Sequence, residues 1–201
     1  MCNKYEYFDP DYIYTDTKTG VLRNCAGITN QQALDFFEAA TVTKRANELA
    51  DNPLSIKDIK SLFAIHKYLF QDVYEWAGKK RTVEISKEGK QFFPTNYFDT
   101  AFEYIDKLID DYRRCSIEDK KEMAGKLADI LDTINYLHPF REGNGRTQRE
   151  FIRILALEKG LLLNLNPPDN TEVYKRYMTG TIDGNVEILS SLILDLLSEI
   201  K

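Results

Sequence analysis

The sequence predicts a mainly α-helical domain with one short β-hairpin. After residue 30, apolar residues recur at helical spacing through most of the chain, whereas residues 82–93 alternate apolar and polar side chains around a turn signal. The chain has 201 residues, no internal repeat and no long linker. A length of this order is sufficient for one domain with its own core, so we expect a single domain over residues 1–201.

The first part of the chain contains an arm and two helices. Residues 1–27 are rich in Tyr, Asp and Thr without periodicity, so we expect an N-terminal arm or loop that is ordered by docking. Helices are predicted over residues 30–50 and 55–70, the second with Ser55 as its N-cap. Their apolar stripes are, in order, Ala33, Phe36, Phe37 and Ala40, and Ile59, Leu62, Phe63, His66 and Phe70. A lone histidine on such a face is expected to be structural.

The middle of the chain contains two helices and the hairpin. Helices are predicted over residues 97–113 and 117–137, and the second is expected to be a central core helix. Its apolar stripe consists of Met123, Leu127, Ile130, Leu131, Ile134 and Leu137. The hairpin is predicted over residues 82–93, where Val83 and Ile85 alternate with polar residues before the turn signal Lys87–Lys90.

The last part of the chain is again helical. A helix over residues 146–159 is expected to end at Gly160, in the place that a C-cap glycine prefers. Residues 166–169 (Asn-Pro-Pro-Asp) predict a turn, and two further helices are expected over residues 170–178 and 186–200. Asp183 is expected to cap the final helix.

Charge and cysteine usage restrict the class of function. The net charge of −5 argues against direct nucleic-acid binding, which needs a clustered basic face. The three cysteines are odd in number and lack a C-x-x-C spacing, which favours a reducing, cytoplasmic location over a disulfide framework. Neither a signal peptide nor a run of about 18 apolar residues is found, so we expect no membrane segment.

The most informative segment is His138-Pro-Phe-Arg-Glu-Gly-Asn-Gly-Arg-Thr-Gln-Arg149, the signature run. Its glycines, Gly143 and Gly145, flank Asn144 where a loop is expected to enter a helix. Backbone N–H groups there can approach an anion closely. Arg146 and Arg149 lie three residues apart, so they share one helix face and can clamp successive phosphates. The segment therefore predicts a site for a phosphate chain.

A base and an acid precede this loop in the sequence. His138, with an ordinary pKa of about 6.5, is largely neutral near pH 7 and can accept a hydroxyl proton. Glu142 can offer an oxygen to Mg²⁺, which takes one or two carboxylates together with phosphate oxygens. Phe140 is expected to pin the loop to the core.

The run matches, position for position, the signature His-x-Phe-x-(Asp/Glu)-Gly-Asn-Gly-Arg-x-x-Arg of the Fic family. Residues 65–78, followed by Arg81, also resemble the stretch that leads into the substrate flap of Fic domains. The resemblance covers most of residues 55–200. It implies the Fic fold, a helical bundle with one short β-hairpin flap beside the active-site loop.

The same resemblance implies a protein adenylyltransferase that uses Mg²⁺ and moves AMP from ATP to a Tyr, Ser or Thr hydroxyl of a target protein. In such an enzyme His138 is the catalytic base and Glu142 the magnesium ligand, while Arg146 and Arg149 hold the β- and γ-phosphates. The nucleotide-binding set would be Arg141, Gly143, Asn144, Gly145, Arg146 and Arg149.

In the family, the flap binds the target segment by adding it as a strand. Here the flap hairpin would occupy residues 82–93, and Glu84 and Ile85 would contribute to docking. Phe92 or Phe93 would press on the bound segment, although Phe93 could instead belong to the core.

Many Fic enzymes are restrained by a helix with the motif (Ser/Thr)-x-x-x-Glu-(Gly/Asn), whose glutamate pairs with the second signature arginine. The nearest segment here is Thr179–Gly184, where Asp183 is one methylene shorter. The chain, including residues 12–24, resembles the bacterial Fic toxins, in which a small antitoxin supplies this helix. The resemblance implies an antitoxin partner and a type II topoisomerase target, either a DNA gyrase or a topoisomerase IV subunit.

Other functions remain open at this stage. The Fic relative Doc is a kinase, but its signature has Lys where this chain has Gly145. Other relatives transfer UMP or phosphocholine, so another nucleotide or target is an alternative. The chain could also be an effector or a non-catalytic binding module. Two distant histidines do not favour a zinc hydrolase, and no Gly-x-x-x-x-Gly-Lys-(Ser/Thr) loop is found for an ordinary ATPase.

Overall fold

The computed structural model describes residues 5–9, 11–87, 89–165 and 170–200. The helices of this part of the chain are α1 (Gln31–Asp51), α2 (Lys60–Phe70), α3 (Phe98–Arg114), α4 (Lys120–Leu137), α5 (Asn144–Glu158), α6 (Thr171–Asp183) and α7 (Val186–Leu196). The strands are β1 (Tyr5–Phe8), β2 (Glu84–Lys87), β3 (Lys90–Gln91), β4 (Leu161–Leu162) and β5 (Ser198–Glu199). The predicted mainly α-helical class is confirmed. No helix in the described ranges is long and apolar enough to cross a bilayer.

The core is built around α4, as its apolar stripe predicted. This helix packs against α3, α5 and α7, and α2 packs between α1 and α5. All six apolar residues of the α4 stripe are at most 1% exposed. Because α4 ends and α5 begins on either side of the signature loop, the loop is held between two helices that are fixed by the core.

The predicted start of α2 is wrong. The helix begins at Lys60, and its N-cap position is occupied by Ile59 rather than Ser55. Carboxylates from other helices take the amides before it: Ile56 N–H donates to Glu158 at 2.9 Å, and Ile59 N–H donates to Asp106 at 2.7 Å. These tertiary contacts bind backbone amides that a helix beginning at Ser55 would otherwise include.

The predicted apolar stripe of α1 is correct at Phe37, which packs half-buried against the core, and wrong at its other three positions. Phe36 is 78% exposed, and Ala33 and Ala40 are exposed as well. The buried residues of α1 are Leu34, Val42 and Leu49. The contact face of the helix is therefore rotated relative to the predicted one.

The C-terminal elements differ from prediction at three points. Helix α6 ends at Asp183, five residues beyond its predicted end at residue 178. Asp183 is the last residue of α6, and the N-cap of α7 is Asn185, whose side chain accepts a hydrogen bond from Ile188 N–H at 3.0 Å. Gly184 separates the helices in a left-handed conformation (φ 63°), so the predicted cap at Asp183 is wrong. The last helix ends at Leu196 rather than near residue 200, because β5 then pairs antiparallel with β4.

The predicted end of the signature helix agrees with the structure. Gly160 follows α5 with a φ of 72° and donates its N–H to Leu157 at 2.9 Å. The predicted turn at residues 166–169 lies outside the described residues.

The predicted hairpin forms, but as part of a three-stranded antiparallel sheet in the order β1-β2-β3. The N-terminal arm supplies β1, whose Tyr5 to Phe8 pair with Lys87 to Glu84. Residues 1–27 therefore include a strand that their composition did not predict, since its pairing partner lies about 80 residues away along the chain. In the predicted turn, Gly89 has a φ of 78°, and Glu88 lies outside the described residues.

Candidate active site

The signature loop enters α5 through Gly143, where any other side chain would have to displace the neighbouring Phe70 ring. Gly143 is the N-cap of α5, with a φ of 82° and no side-chain cap. A Cβ at this position would lie 2.3 Å from Cζ of the buried Phe70 ring. The absence of a capping side chain leaves the helix N-terminus able to bind an anion. The helix begins at Asn144, two residues before the predicted start.

Asn144 braces the loop with its side chain. Its Oδ1 accepts from Phe140 N–H at 2.9 Å, and its Nδ2 donates to the Phe140 carbonyl at 2.7 Å. Phe140 itself is fully buried, as expected for the residue that pins the loop. Since both polar atoms of the Asn144 side chain hold the loop, its predicted part in nucleotide binding falls to its backbone N–H in the first turn of α5.

His138 lies at the C-cap of α4 in an orientation suited to a base. Its Nδ1 lies 3.2 Å from the Asn135 carbonyl, which can only accept, so Nδ1 carries the proton and Nε2 has the basic lone pair. Burial lowers the pKa of His138 from 6.5 to about 3, and the charges of Arg81 and Lys87 act in the same direction. The imidazole is therefore neutral at physiological pH.

A cavity of about 350 Å³ opens beside this ring. It lies between the flap and α6, and both His138 and Arg149 line it, together with Gly145. Phe92 of the flap stacks on the imidazole, with ring centroids 3.8 Å apart and an interplanar angle of 17°. The stacking fixes the plane of the His138 ring at the wall of the cavity.

The N-terminus of α5 already binds a carboxylate oxygen in this structure. Glu142 Oε1 accepts from Gly143 N–H at 2.8 Å and lies 3.4 Å from an Arg146 guanidinium nitrogen. Among the described residues, no cluster of three or more His, Cys, Asp or Glu side chains forms a metal cage. A single partly exposed carboxylate beside an anion site suits Mg²⁺, which keeps several waters and shares phosphate oxygens with its substrate.

Arg146 is held by a residue that the sequence analysis did not identify. Glu38 of α1 accepts from Arg146 at 2.6 Å, and it also accepts a hydrogen bond from the Tyr74 hydroxyl. The Arg146 guanidinium lies over the Phe70 ring, 4.7 Å from its centroid. Because Glu38 lies over a hundred residues before the signature in an ordinary amphipathic helix, no local signal identifies it.

Arg149 has a different environment. Its guanidinium lies 5.2 Å from the centroid of the Tyr177 ring. Among the described residues, no carboxylate forms an ion pair with it. It lines the cavity beside His138, whereas Arg146 does not. Both arginines line a second groove of about 310 Å³ beside α1. The predicted pair therefore shares the groove, and only Arg149 also reaches the cavity that contains the base.

Arg141 is not part of the described lining of either cavity, and neither are Gly143 and Asn144. The Arg141 residue is 8% exposed. Its predicted role stays a prediction.

The predicted docking residues of the flap are mainly engaged in holding the flap itself. Glu84 accepts from Thr95 N–H at 3.0 Å and from Arg81 at 3.2 Å. The Ile85 side chain is 2% exposed, and Phe93 packs edge-on against Tyr136. Phe92 stacks on the His138 ring. A docking role for this set stays a prediction, and the side chains of Glu84 and Ile85 are already occupied.

His66 has the structural environment expected of it. Its Nδ1 accepts from Gly78 N–H at 2.8 Å, so the proton is on Nε2, which lies 3.0 Å from the Glu142 carbonyl. The ring also stacks on Phe140 at 3.8 Å. His66 thereby supports the signature loop through its contacts with Glu142 and Phe140.

Comparisons with known proteins agree with this geometry. The Fic/DOC family model matches residues 54–156, slightly over half of the chain. Protein adenylyltransferase VbhT of Bartonella schoenbuchensis is 37% identical over 187 residues, which cover 92% of this chain and 39% of that protein. The chain thus spans about two fifths of the length of this relative. Probable protein adenylyltransferase y4lH of Sinorhizobium fredii is 38% identical over 148 residues, covering 73% of this chain and 76% of that one.

Solved structures show the same fold. The BepC protein of Bartonella tribocorum, with bound AMPPNP, superposes with a TM-score of 0.83 at 24% identity and covers 94% of this chain and 98% of its own. The Fic domain of Bep8 from Bartonella sp. 1-1C superposes with a TM-score of 0.81 at 25% identity, covering 92% of this chain and 94% of that one. Taken with the family match and the relatives above 30% identity, these findings show that the chain belongs to the Fic/DOC family.

Proposed function

We propose that this domain is a protein adenylyltransferase that transfers AMP from ATP to a hydroxyl of a target protein. The observation that carries the proposal is the neutral His138 ring, which has its proton on Nδ1 and lines the same cavity as Gly145 and Arg149. A base beside a helix N-terminus that binds an anion is the arrangement that nucleotidyl transfer needs. The adenylyltransferases among the relatives support the same reaction.

In the proposed step, the target hydroxyl oxygen attacks the α-phosphorus of ATP. A new P–O bond forms, the bond from the α-phosphorus to the bridging oxygen breaks, and pyrophosphate leaves with that electron pair. His138 Nε2 accepts the hydroxyl proton. The N-terminus of α5 and Arg149 stabilise the negative charge of the phosphate chain.

ATP is the proposed co-substrate, and Mg²⁺ the proposed cofactor. AMPPNP in the BepC structure and ADP in a Fic-domain structure from Bartonella quintana support an adenine nucleotide. Glu142 would hold Mg²⁺, which when bound neutralises phosphate charge. Arg146, which now shares its donors between Glu38 and Glu142, would keep the Glu38 contact and turn its other donors towards phosphate.

The test uses two labels of ATP. Incubated with Mg²⁺ and a bacterial lysate, the protein should transfer label from α-labelled ATP to one or a few proteins and none from γ-labelled ATP. His138→Ala should reduce the rate by roughly 10²–10⁴-fold, the usual contribution of a general base. Transfer of the γ-label would replace this proposal with a kinase activity.

A protein partner is the second component of the proposal. Arg149 is in an ion pair with no described carboxylate, and Asp183, although it lines the same cavity, is exposed. The groove beside α1 is lined by small residues of α1 and by Arg146, Arg149 and Arg153, of which Arg153 pairs with Glu150. Arg149 is then the arginine that a glutamate on a helix of a small antitoxin would contact. The resemblance to the bacterial Fic toxins supports a cytoplasmic toxin, with a subunit of DNA gyrase or topoisomerase IV as its target.

A further inference from the structure

A fully buried arginine lies between the flap and the signature loop. Arg81 is 1% exposed, while its neighbours Lys79 and Lys80 are both exposed. Burying a guanidinium is costly unless its donors are satisfied by precise partners. The groups that accept hydrogen bonds from Arg81 should therefore account for its burial.

The donors of Arg81 reach both ends of the flap and the catalytic residue. Nη1 donates to the Val83 carbonyl just before β2, and Nη2 donates to the Phe93 carbonyl just after β3, each at 2.6 Å. Nε donates to the His138 carbonyl at 2.8 Å, and the Arg81 backbone N–H donates to the Pro139 carbonyl at 2.7 Å. One side chain thus joins the base of the flap to the signature loop.

The residue that Arg81 holds has an unfavourable backbone. His138 adopts φ 46° and ψ 60°, a left-handed conformation that costs a non-glycine residue about 1 kcal/mol or more. Within the described residues, Tyr12 is the one other non-glycine residue with positive φ. The bond from Arg81 Nε fixes the carbonyl that this conformation turns inward.

The flap also acts on the His138 ring. Phe92 stacks on it, and Phe92 directly precedes the Phe93 carbonyl that Arg81 holds. The backbone and the ring plane of His138 are therefore both connected to Arg81. The Arg81 charge adds to burial in lowering the pKa of His138.

We propose that Arg81 is a positioning residue that sets the orientation of His138 and the position of the flap together. It touches neither substrate nor the reacting atoms, and it acts through the His138 backbone and the Phe92–Phe93 segment. The inference rests on the proposed transfer reaction only for its effect on rate, because the orientation of His138 is measurable without ATP.

The test compares Arg81→Lys with Arg113→Lys. Lysine retains the charge but cannot reach three carbonyls at once. Arg113 is the control, since it also donates to two backbone carbonyls, those of Ile56 and Lys57, which belong to neither the flap nor the signature loop. The chain has two histidines, so imidazole ¹⁵N spectra contain one set of signals from each. Wild-type protein should show the Nδ1–H tautomer for His138 and the Nε2–H tautomer for His66.

In Arg81→Lys, the His138 signals should shift towards a mixture of tautomers, while those of His66 stay in place. The rate of AMP transfer to lysate proteins at saturating ATP should fall by about 10²-fold, the cost of a misplaced catalytic group, with little change in KM for ATP. Arg113→Lys should change neither quantity. Unchanged His138 signals with an unchanged rate in folded Arg81→Lys, or equal effects in both variants, would overturn the proposal.

A second variant and the wild-type assay distinguish the remaining outcomes. If Arg81→Lys does not fold, Glu84→Ala removes the carboxylate partner of Arg81 and should shift the His138 signals in the same direction by less. Wild-type-like His138 signals there would contradict the inference. If the wild-type protein transfers no AMP at all, the proposed function fails, whereas the tautomer measurement still decides the role of Arg81.

Discussion

The two histidines of the chain have opposite tautomers, and each is set by one backbone group. The Asn135 carbonyl places the proton of His138 on Nδ1, and the Gly78 N–H places that of His66 on Nε2. His66 thereby supports the signature loop, as the apolar face of α2 predicted, while the role of His138 as a base stays a proposal that its neutral ring supports.

Stability should depend on pH through these residues. Burial lowers the pKa of both histidines from 6.5 to about 3. Because the folded pKa lies below the unfolded one, their stabilising contribution is complete above pH 6.5 and is lost as pH falls towards 3. Each histidine should contribute a slope of up to about 1.4 kcal/mol per pH unit in this window.

Urea unfolding at pH 7, 6 and 5 measures this effect. The free energy of unfolding should fall towards pH 5, and His66→Gln, which retains a donor and an acceptor, should remove about half of the slope. Comparing the two proteins cancels the opposite contribution of Asp129 and Asp132, whose pKa values are raised by burial. If the free energy of unfolding has the same pH slope in both proteins, the pKa of His66 is the same in the folded and unfolded states, which contradicts the prediction.

At the scale of single elements, the start of α5 depends on contact between its N-cap and α2. Gly143→Ala would combine the strain of a positive φ with a Cβ that overlaps the Phe70 ring. Overpacking of this kind costs roughly 1–3 kcal/mol, and the strain about 1 kcal/mol more. Gly160→Ala, at the other end of the same helix, has positive φ but open space and should cost only the strain. Thermal unfolding of both variants checks the difference, and equal losses would contradict the overlap.

The flap hairpin exposes one edge that could bind a target strand. Since Phe92 N–H donates to the Ile85 carbonyl and Ser86 opposes Gln91, the Gln91 N–H points away from β2, towards the open edge of β3. Ile85 is in the central strand, so a proline there would damage the sheet itself.

We expect Gln91→Pro to reduce modification of the protein target while ATP affinity stays close to that of the wild type. Gln91→Ala, which keeps the N–H, is the control and should modify the protein target at the wild-type rate. Rates of label transfer and ATP titrations measure the two quantities. Parallel loss of both in Gln91→Pro would indicate that the hairpin has a structural role only.

Elements that depend on local pattern were predictable, and those that depend on distant partners were not. The α4 stripe and the signature are contiguous, so periodicity and spacing identified them. The strand β1, the late start of α2 and the Glu38–Arg146 pair each arise from residues that are far apart in sequence. No local composition contains that information.

In the whole molecule, Arg149, which forms an ion pair with no described carboxylate, lines the same cavity as His138. If an antitoxin helix controls the domain, expression of the chain alone should impair bacterial growth, and Arg149→Ala should relieve the impairment. A synthetic helix with a central glutamate should inhibit the wild-type protein, whereas its glutamine counterpart should not. Strongly increased self-modification on Asp183→Ala would instead identify an internal brake at Thr179–Gly184 and exclude the need for a partner.

The proposed role of His138 as the base in nucleotidyl transfer to protein can be tested by phosphorus NMR of the reaction, combined with the intact mass of the modified protein. We expect one pyrophosphate released for each protein that gains the mass of one AMP group, and roughly 10²–10⁴-fold slower formation of both products with His138→Ala. Release of ADP with gain of a phosphate, or turnover that His138→Ala leaves unchanged, would contradict it.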